Sequence, residues 1–226
     1  RGGVLGPIAM IGLLPGWLRW LCASLDRLVR SRRAASDTGA ALCTALARLG
    51  PGFVKFGQAL STRSDLIGPA LGQALAKLQD RMPPFAAVKA RQQIEQETGE
   101  PLDAVFAQFD DAPVAAASIA QVHRATLHDG RDVAVKLLRP DIERQMAADT
   151  ALFYALAQII EWMAPGLRRL HLVEAVAQFR ALSEVELDLR LEAAAAGRLG
   201  DNMRDDSGIY IPWVDLEHSS RRMLIV

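Results

Sequence analysis

The apolar positions of this chain follow strict alternation in its middle and helical spacing on either side. In residues 132–138, Val133, Val135 and Leu137 occupy one face and Asp132, Ala134, Lys136 and Leu138 the other. That period of two marks a half-buried strand. Together with the residues before it, the stretch 115–140 reads as two strands closed by Asp129-Gly130, a dipeptide suited to the positive φ angles of a tight hairpin turn. Upstream, Ser36 or Asp37 can cap a helix that runs to about Leu49 and stops at Gly50-Pro51-Gly52. A second helix is expected from near Phe53. It carries Phe53, Phe56 and Leu60 on one stripe and Lys55, Gln58 and Thr62 on another.

Pro69 opens a short helix predicted to reach Asp80, and Met82-Pro83-Pro84 closes it. Residues 86–98 read as a helix with a polar face, ended by Gly99, and residues 101–109 as one or two further turns. Beyond the hairpin, Pro140 suits a first helical turn. Residues 141–163 repeat with helical period through Ile142, Met146, Leu152, Leu156 and Ile159, and Pro165-Gly166 terminates them. One long helix is predicted from about Leu172 to Leu199, stopped at Gly200. Residues 209–214 and 223–226 read as strands. The chain stops inside an expected strand, as a fragment would.

Composition narrows the class. Half of the 226 residues are hydrophobic and only 6% aromatic, which suits a helix-dominated globular protein. Lys and Arg total 26 against 26 for Asp and Glu, so no global field favours nucleic acid, and no nucleic-acid partner is expected. Cys22 and Cys43 form no framework and no metal spacing, so inert thiols in a reducing compartment are expected. His123, His128, His171 and His218 are scattered, and no metal site is assigned within the chain. Residues 4–21 are apolar but broken by Gly6-Pro7, Gly12 and Pro15-Gly16, a poor match to the roughly 20 continuous residues of a membrane span. Arg27, Arg30, Arg32 and Arg33 follow, either as a solvated helix end or as a contact with anionic lipid.

The candidate chemistry gathers around Lys136. A lone strand lysine is commonly a solvated edge residue. Here Ala115-Ala116-Ala117-Ser118 stands upstream where a phosphate-covering loop would sit, ahead of a strand leading to Val133-Ala134-Val135-Lys136. A lysine on a four-carbon stem needs a carboxylate to hold it against phosphate oxygens. The long helix offers Glu184, Glu186, Asp188 and Glu192, with Asp188 and Glu192 sharing a face and Glu186 pointing elsewhere. The other reading is a surface face of acids interleaved with Arg180, Arg190 and Arg198. Spacing alone leaves both open.

Several motifs occur in a specific order: Gly50-Pro51-Gly52-Phe53-Val54-Lys55-Phe56-Gly57-Gln58 with the following 60–66 stretch, Lys77-Leu78-Gln79-Asp80, residues 115–122, Val133–Lys136 with Arg139-Pro140, Glu186-Leu187-Asp188, and Glu192-Ala193. In these the chain resembles the UbiB-type family of atypical protein-kinase-like proteins associated with ubiquinone biosynthesis, from about Ala40 to Val226. The resemblance implies an α+β fold: a kinase-like small lobe with a short antiparallel sheet, wrapped by a helical N-terminal extension and truncated before the large lobe. The implied division is a lead-in at 1–35, near a membrane, a helical extension at 36–112 with the Lys-x-Gly-Gln motif, and a small lobe with inserted long helices at 113–226.

By the same resemblance Lys136 looks like the lysine of the third kinase strand and Glu192 like its helix carboxylate partner. Val114, Ala115, Ala116, Ala117, Ser118, Ile119, Ala120, Gln121 and Val122 look like the alanine-rich replacement for a glycine-rich loop. Lys55, Gly57 and Gln58 match the Lys-x-Gly-Gln signature, and Glu186 and Asp188 the Glu-x-Asp pair, expected to meet Lys55 and help order nucleotide and metal. Ala134 and Gln58 join the nucleotide-binding set. Two positions depart from the family pattern: Ala195 stands where asparagine is common, and Leu189 where an aromatic residue is common.

The implied function is the ATP-binding portion of an atypical kinase or ATPase that supports isoprenoid quinone biosynthesis and uses ATP and Mg²⁺. Its metal-binding and base residues would lie beyond Val226, so the chain alone is expected to be inactive. Quinone precursors, lipids, a membrane surface and other quinone-biosynthesis proteins are the implied partners, at the cytoplasmic face of the bacterial inner membrane. The alternative is a pseudokinase-like module in which nucleotide controls lipid or partner binding.

Overall fold

The computed structural model describes residues 38–78, 82–206 and 208–226. The lead-in at 1–35, the capping residues Ser36 and Asp37, and Cys22 lie outside the described residues. The chain separates into two compact units. They do not follow the expected 112/113 boundary, because residues 82–112 group with the sheet and residues 145–180 with the early helices.

Helices α1 (Thr38–Leu49), α2 (Pro51–Ser61), α3 (Ser64–Ile67) and α4 (Pro69–Leu75) open the first unit. It also takes most of α7 (Ile142–Met163), a 3-10 helix (Pro165–Leu170) and the first part of α8 (Leu172–Glu186). Helix α2 starts at Pro51 rather than near Phe53, because proline fits the first helical position, where its missing N–H costs nothing. Its Phe53 and Phe56 meet Phe153 of α7 at ring separations of 4.9 and 4.3 Å, and Phe56 meets Phe179 of α8 at 5.4 Å.

Two glycines of α2 are there for closeness. A Cβ on Gly57 would press into the ends of Leu46 and Leu78. A Cβ on Gly52 would overlap the carboxylate and Cβ of Asp149. Asp149 accepts a hydrogen bond from the Gly52 N–H, and its partial burial raises its carboxyl above the ordinary range. A carboxylate on α7 thus occupies the electropositive start of α2. Cys43 is a free thiol donating to the Ala74 carbonyl at 3.3 Å, and burial raises its pKa.

The second unit is built on an antiparallel sheet ordered β1-β3-β4-β5, with β2 pairing β3. Its strands are β1 (Phe106–Phe109), β2 (Ala115–Ala116), β3 (Ala120–Leu127), β4 (Asp132–Leu138) and β5 (Met223–Ile225). Helices α5 (Ala87–Thr98), α6 (Leu102–Val105) and α9 (Leu189–Asn202) pack with it. Val133, Val135 and Leu137 join Ala125, Leu127, Met223, Ile225 and Ala90 and Ile94 of α5 in one core. Alternation places Ala134 and Lys136 on the opposite face.

Five expectations about local structure need correcting. Residues 106–109 form a strand, because Phe106 is buried in the core while its backbone pairs with β3. The β3–β4 hairpin closes through Gly130 N–H to Leu127 O and Leu127 N–H to Arg131 O, with only Gly130 at positive φ (86°). This is a three-residue loop with a bulge, not a two-residue turn. The long helix is two helices: α8 ends at Glu186 and Asp188, extended, caps α9. Residues 209–214 are not a strand. Their neighbour Asp215 makes only an isolated bridge to Ile225, while Pro212 lacks a donor and Trp213 lies under the Arg131 guanidinium at 3.9 Å. Pro140 also precedes the helix, which begins at Ile142 after Asp141 at φ 57°.

A buried polar relay crosses the core face of the second unit. The Phe85 N–H donates to Gln121 Oε1 at 3.0 Å, the Gln121 amide lies 2.7 Å from His123 Nε2, and His123 Nδ1 lies 2.8 Å from the Asp110 carbonyl. One proton arrangement satisfies every member: Gln121 donates to Nε2, and Nδ1–H donates to Asp110. A proton on Nε2 would face the amide N–H, and burial independently lowers the His123 pKa. The unfolded histidine titrates near about 6.5. Below that pH the unfolded chain binds more protons, so this contribution to stability is complete above it and is lost as pH falls toward the lower folded value.

Denaturant midpoints measured from about pH 8 to 5 should therefore fall below pH 6.5, with a flatter profile in His123→Gln. Gly52→Ala should cost about 1–2 kcal/mol in equilibrium unfolding by dislodging the Asp149 cap. Gly57→Ala should stay within about 1 kcal/mol, because leucine ends can yield and alanine favours the helix.

Candidate nucleotide site

Lys136 sits at the centre of β4, with Val122 of β3 beside it on one flank and Leu224 of β5 on the other. Pairing on both sides makes it an interior strand residue, not an edge lysine. Its Nζ donates to both Glu192 oxygens, at 2.7 and 3.0 Å. The lysine side chain is 29% exposed and the glutamate 51%. Glu192 reaches this position because Leu189 and Ala193, one helical turn apart, are buried on α9, and the Leu189 N–H donates to the Arg221 carbonyl at 3.0 Å. Leu189, at the position expected to be aromatic, is thus an anchor, and Ala195 is exposed.

The alanine-rich stretch is a second, narrow hairpin. Ala115 pairs with Val122 and Ala116 with Gln121, while Val114 N–H donates to Val122 O at 2.8 Å and Ala117 N–H to Ala120 O at 2.8 Å. Ser118 and Ile119 form its tip, with the Ser118 side chain buried. Arg139, one residue past β4, fastens that tip. Its N–H donates to Ile119 O at 2.8 Å, its Nε to Ala117 O at 2.9 Å and its Nη2 to Pro83 O at 3.0 Å. The Met82 N–H adds a bond to Ala116 O at 3.1 Å.

Sequence reasoning missed this role of Arg139. The available signal was a guanidinium, rich in donors, at the end of a strand beside a loop of exposed carbonyls. Gln121 departs from its expected place. Alternation along β3 turns it onto the core face, where the relay with His123 takes up its amide. Ala134 shares the face of Lys136 and is half-buried, so one small side chain lies beside the lysine along its strand, with the buried Leu138 on its other side.

Asp188 caps α9, accepting from the Arg190 N–H at 3.2 Å. Arg190 also grips it with Nε at 2.9 Å and Nη2 at 2.6 Å, which holds its carboxyl below the ordinary range. Glu186 is exposed at the end of α8. In the first unit, Lys55 is half-buried on α2, and Gln58 directs its amide to the Leu78 carbonyl at 3.4 Å. The second unit thus joins Lys136 to Glu192 and places the small-residue hairpin tip at the end of the same strand. Among the described residues no group of three or more His, Cys, Asp or Glu is placed to hold a metal ion, and no helix is long and apolar enough to cross a membrane.

Comparison with known proteins gives this geometry a context. The model of the ABC1 atypical kinase-like domain matches residues 77–226. A protein of Marinobacter nauticus named "Probable protein kinase UbiB" is 45% identical over 188 residues, covering 83% of this chain and 34% of the relative. One of the same name from Pseudomonas aeruginosa (strain LESB58) is 40% identical over 220 residues, covering 97% of this chain and 41% of the relative. The solved structure titled "The complex structure of Rv3197-erythromycin from Mycobacterium tuberculosis" is similar at a TM-score of 0.50 and 29% identity, over 91% of this chain and 49% of that one. The chain spans about two fifths or less of the length of these curated relatives. On the matched motifs and the fold they produce, it belongs to the family of the ABC1 atypical kinase-like domain.

Proposed function

We propose that this stretch is the ATP-binding part of an atypical kinase or ATPase that supports isoprenoid quinone biosynthesis at the cytoplasmic face of the bacterial inner membrane. The observation that carries the reading is the Lys136–Glu192 pair on a central strand, with the hairpin tip at Ser118 and Ile119 closed by Arg139. The residues fit a nucleotide. Glu192 holds the ammonium in place, leaving its remaining donor capacity for phosphate oxygens. The main chain of residues 114–120 forms the cover, and Ala134 leaves flat space beside the lysine for a base.

Lys55 and Gln58 in the first unit, and Glu186 and Asp188 in the second, are assigned the ordering of nucleotide and Mg²⁺. Bound Mg²⁺ would neutralise phosphate charge. No ligand set for it is assigned among the described residues. Because the relatives are more than twice as long, turnover is assigned to the whole protein and binding to this stretch. Quinone precursors, lipids and other quinone-biosynthesis proteins are the proposed partners.

A second reading has its own observation. Asp188 is committed to capping α9 and to Arg190, which suits a module where nucleotide stiffens the helix junction and the output is lipid or partner binding. Hydrolysis of ATP by the whole protein separates the two, since the module binds without turnover.

In the whole protein, Lys136→Ala should weaken ATP binding by about tenfold or more, the loss of a charged hydrogen bond. Its melting temperature should barely move, because a pair this exposed is worth only about 0–1 kcal/mol. Unchanged ATP affinity and turnover would remove Lys136 from the role. Lys55→Ala should lower ATP affinity or hydrolysis without altering the Lys136 effect, and no change in either would leave Lys55 a helix-surface residue.

A further inference from the structure

The helical first unit contains a cavity of about 300 Å³ that the nucleotide reading leaves unused. Arg63, Asp65, Arg169, His171, Glu174 and Gln178 line it. Its charges are unequally spent. Arg63 grips Asp65 in a fork, with Nε to Oδ1 and Nη2 to Oδ2 both at 3.0 Å. Glu174 lies 3.7 Å from His171 Nδ1. Arg168, next along the 3-10 helix, donates from Nε to the Glu161 carbonyl at 3.1 Å. Arg169 alone among these cations has no ion pair or hydrogen bond from its side chain among the described residues. Asp65 is already held by Arg63 and Glu174 faces the His171 ring, while the Arg169 guanidinium has no such partner among the described residues.

The backbone adds an independent mark. His171 closes the 3-10 helix at φ 49°, one of only two non-glycine residues at positive φ among the described residues. This conformation ends the helix at the cavity, with Arg169, His171 and Glu174 all lining it. Such held-over strain gathers at binding sites.

We propose that this cavity binds a phosphate group, carried by a small soluble ester or by a lipid headgroup. A guanidinium fork matches phosphate oxygens in pairs. The Arg169 fork, the His171 ring and the Gln178 amide together present more donors than the two oxygens of a carboxylate accept, and a tetrahedral phosphate uses them better. The volume lies at the small end of ligand pockets, suited to a phosphate with a short polyol and too small for a nucleoside triphosphate.

The test uses the whole protein with no segment removed. Calorimetric titrations with inorganic phosphate, glycerol 3-phosphate and acetate form one arm. Flotation with phosphatidylglycerol vesicles against phosphatidylcholine vesicles forms the other. At least one phosphate-bearing probe should bind, Arg169→Gln should weaken it about tenfold, and Lys136→Ala should leave it unchanged. Binding of the soluble probes alone assigns a metabolite, and preference for phosphatidylglycerol assigns a headgroup. No binding in either arm, equal binding of acetate, or an unaffected Arg169→Gln variant overturns the proposal. So does loss of phosphate binding in Lys136→Ala, which would move it to the nucleotide site, whereas an inactive Lys136 variant that still binds phosphate leaves this cavity standing.

Discussion

Strand β4 is hydrogen-bonded along both edges, to β3 and to β5, and everything chemical in the second unit depends on its register. A slip of one residue would turn Lys136 into the apolar core and expose Val135 and Leu137. The slip is blocked from both sides. Val133, Val135 and Leu137 are buried against Ala90 and Ile94 of α5, and Gln121 and His123 of β3 lie on the same face with their polar atoms paired. Shifting β3 would leave those buried groups without partners, which is costlier than losing apolar contact alone. The hydrophobic face thus supplies the energy, and the glutamine–histidine relay supplies the specificity that keeps Lys136 opposite Glu192.

Fixing a strand is not enough to fix a loop. The small side chains at 115–117 give the second hairpin little packing of its own, and its order comes from backbone carbonyls held by Arg139 and Met82. Because Arg139 directly continues β4, the lysine and the hairpin tip are set by one strand. The first unit uses a similar economy. Helix α2 is placed by ring contacts of Phe53 and Phe56 and by the Asp149 carboxylate at its N-terminus, which requires glycine at position 52. Lys55 is carried by a helix whose start and apolar face are both set by α7.

Much of this was legible in the residues. Alternation at 132–138 located β4 and its two faces, Gly99 marked the end of α5, and Pro165-Gly166 the end of α7. The order of motifs led to the family that comparison then showed. The illegible parts are those where two periods compete or where a partner is distant in sequence. Residues 106–109 carry phenylalanines that suit either a helical turn or a strand, and pairing with β3 decided between them. The run through 186–189 has helical composition throughout, yet Asp188 bonds its own downstream N–H and Arg190, and the helix breaks there.

The sequence by itself determined most of the elements, the sidedness of β4 and the identity of the lysine, because period and turn chemistry are local. It also limited the choice of carboxylates to a few on one stretch. The family resemblance singled out Glu192 among them, and the tertiary structure brings it to Lys136. Only the tertiary structure decided that Gln121 belongs to the core, that Arg139 ties down the hairpin tip, and that Asp149 occupies the start of α2. Each of these joins groups far apart in the chain or turns on which face packing buries, and no local pattern encodes that.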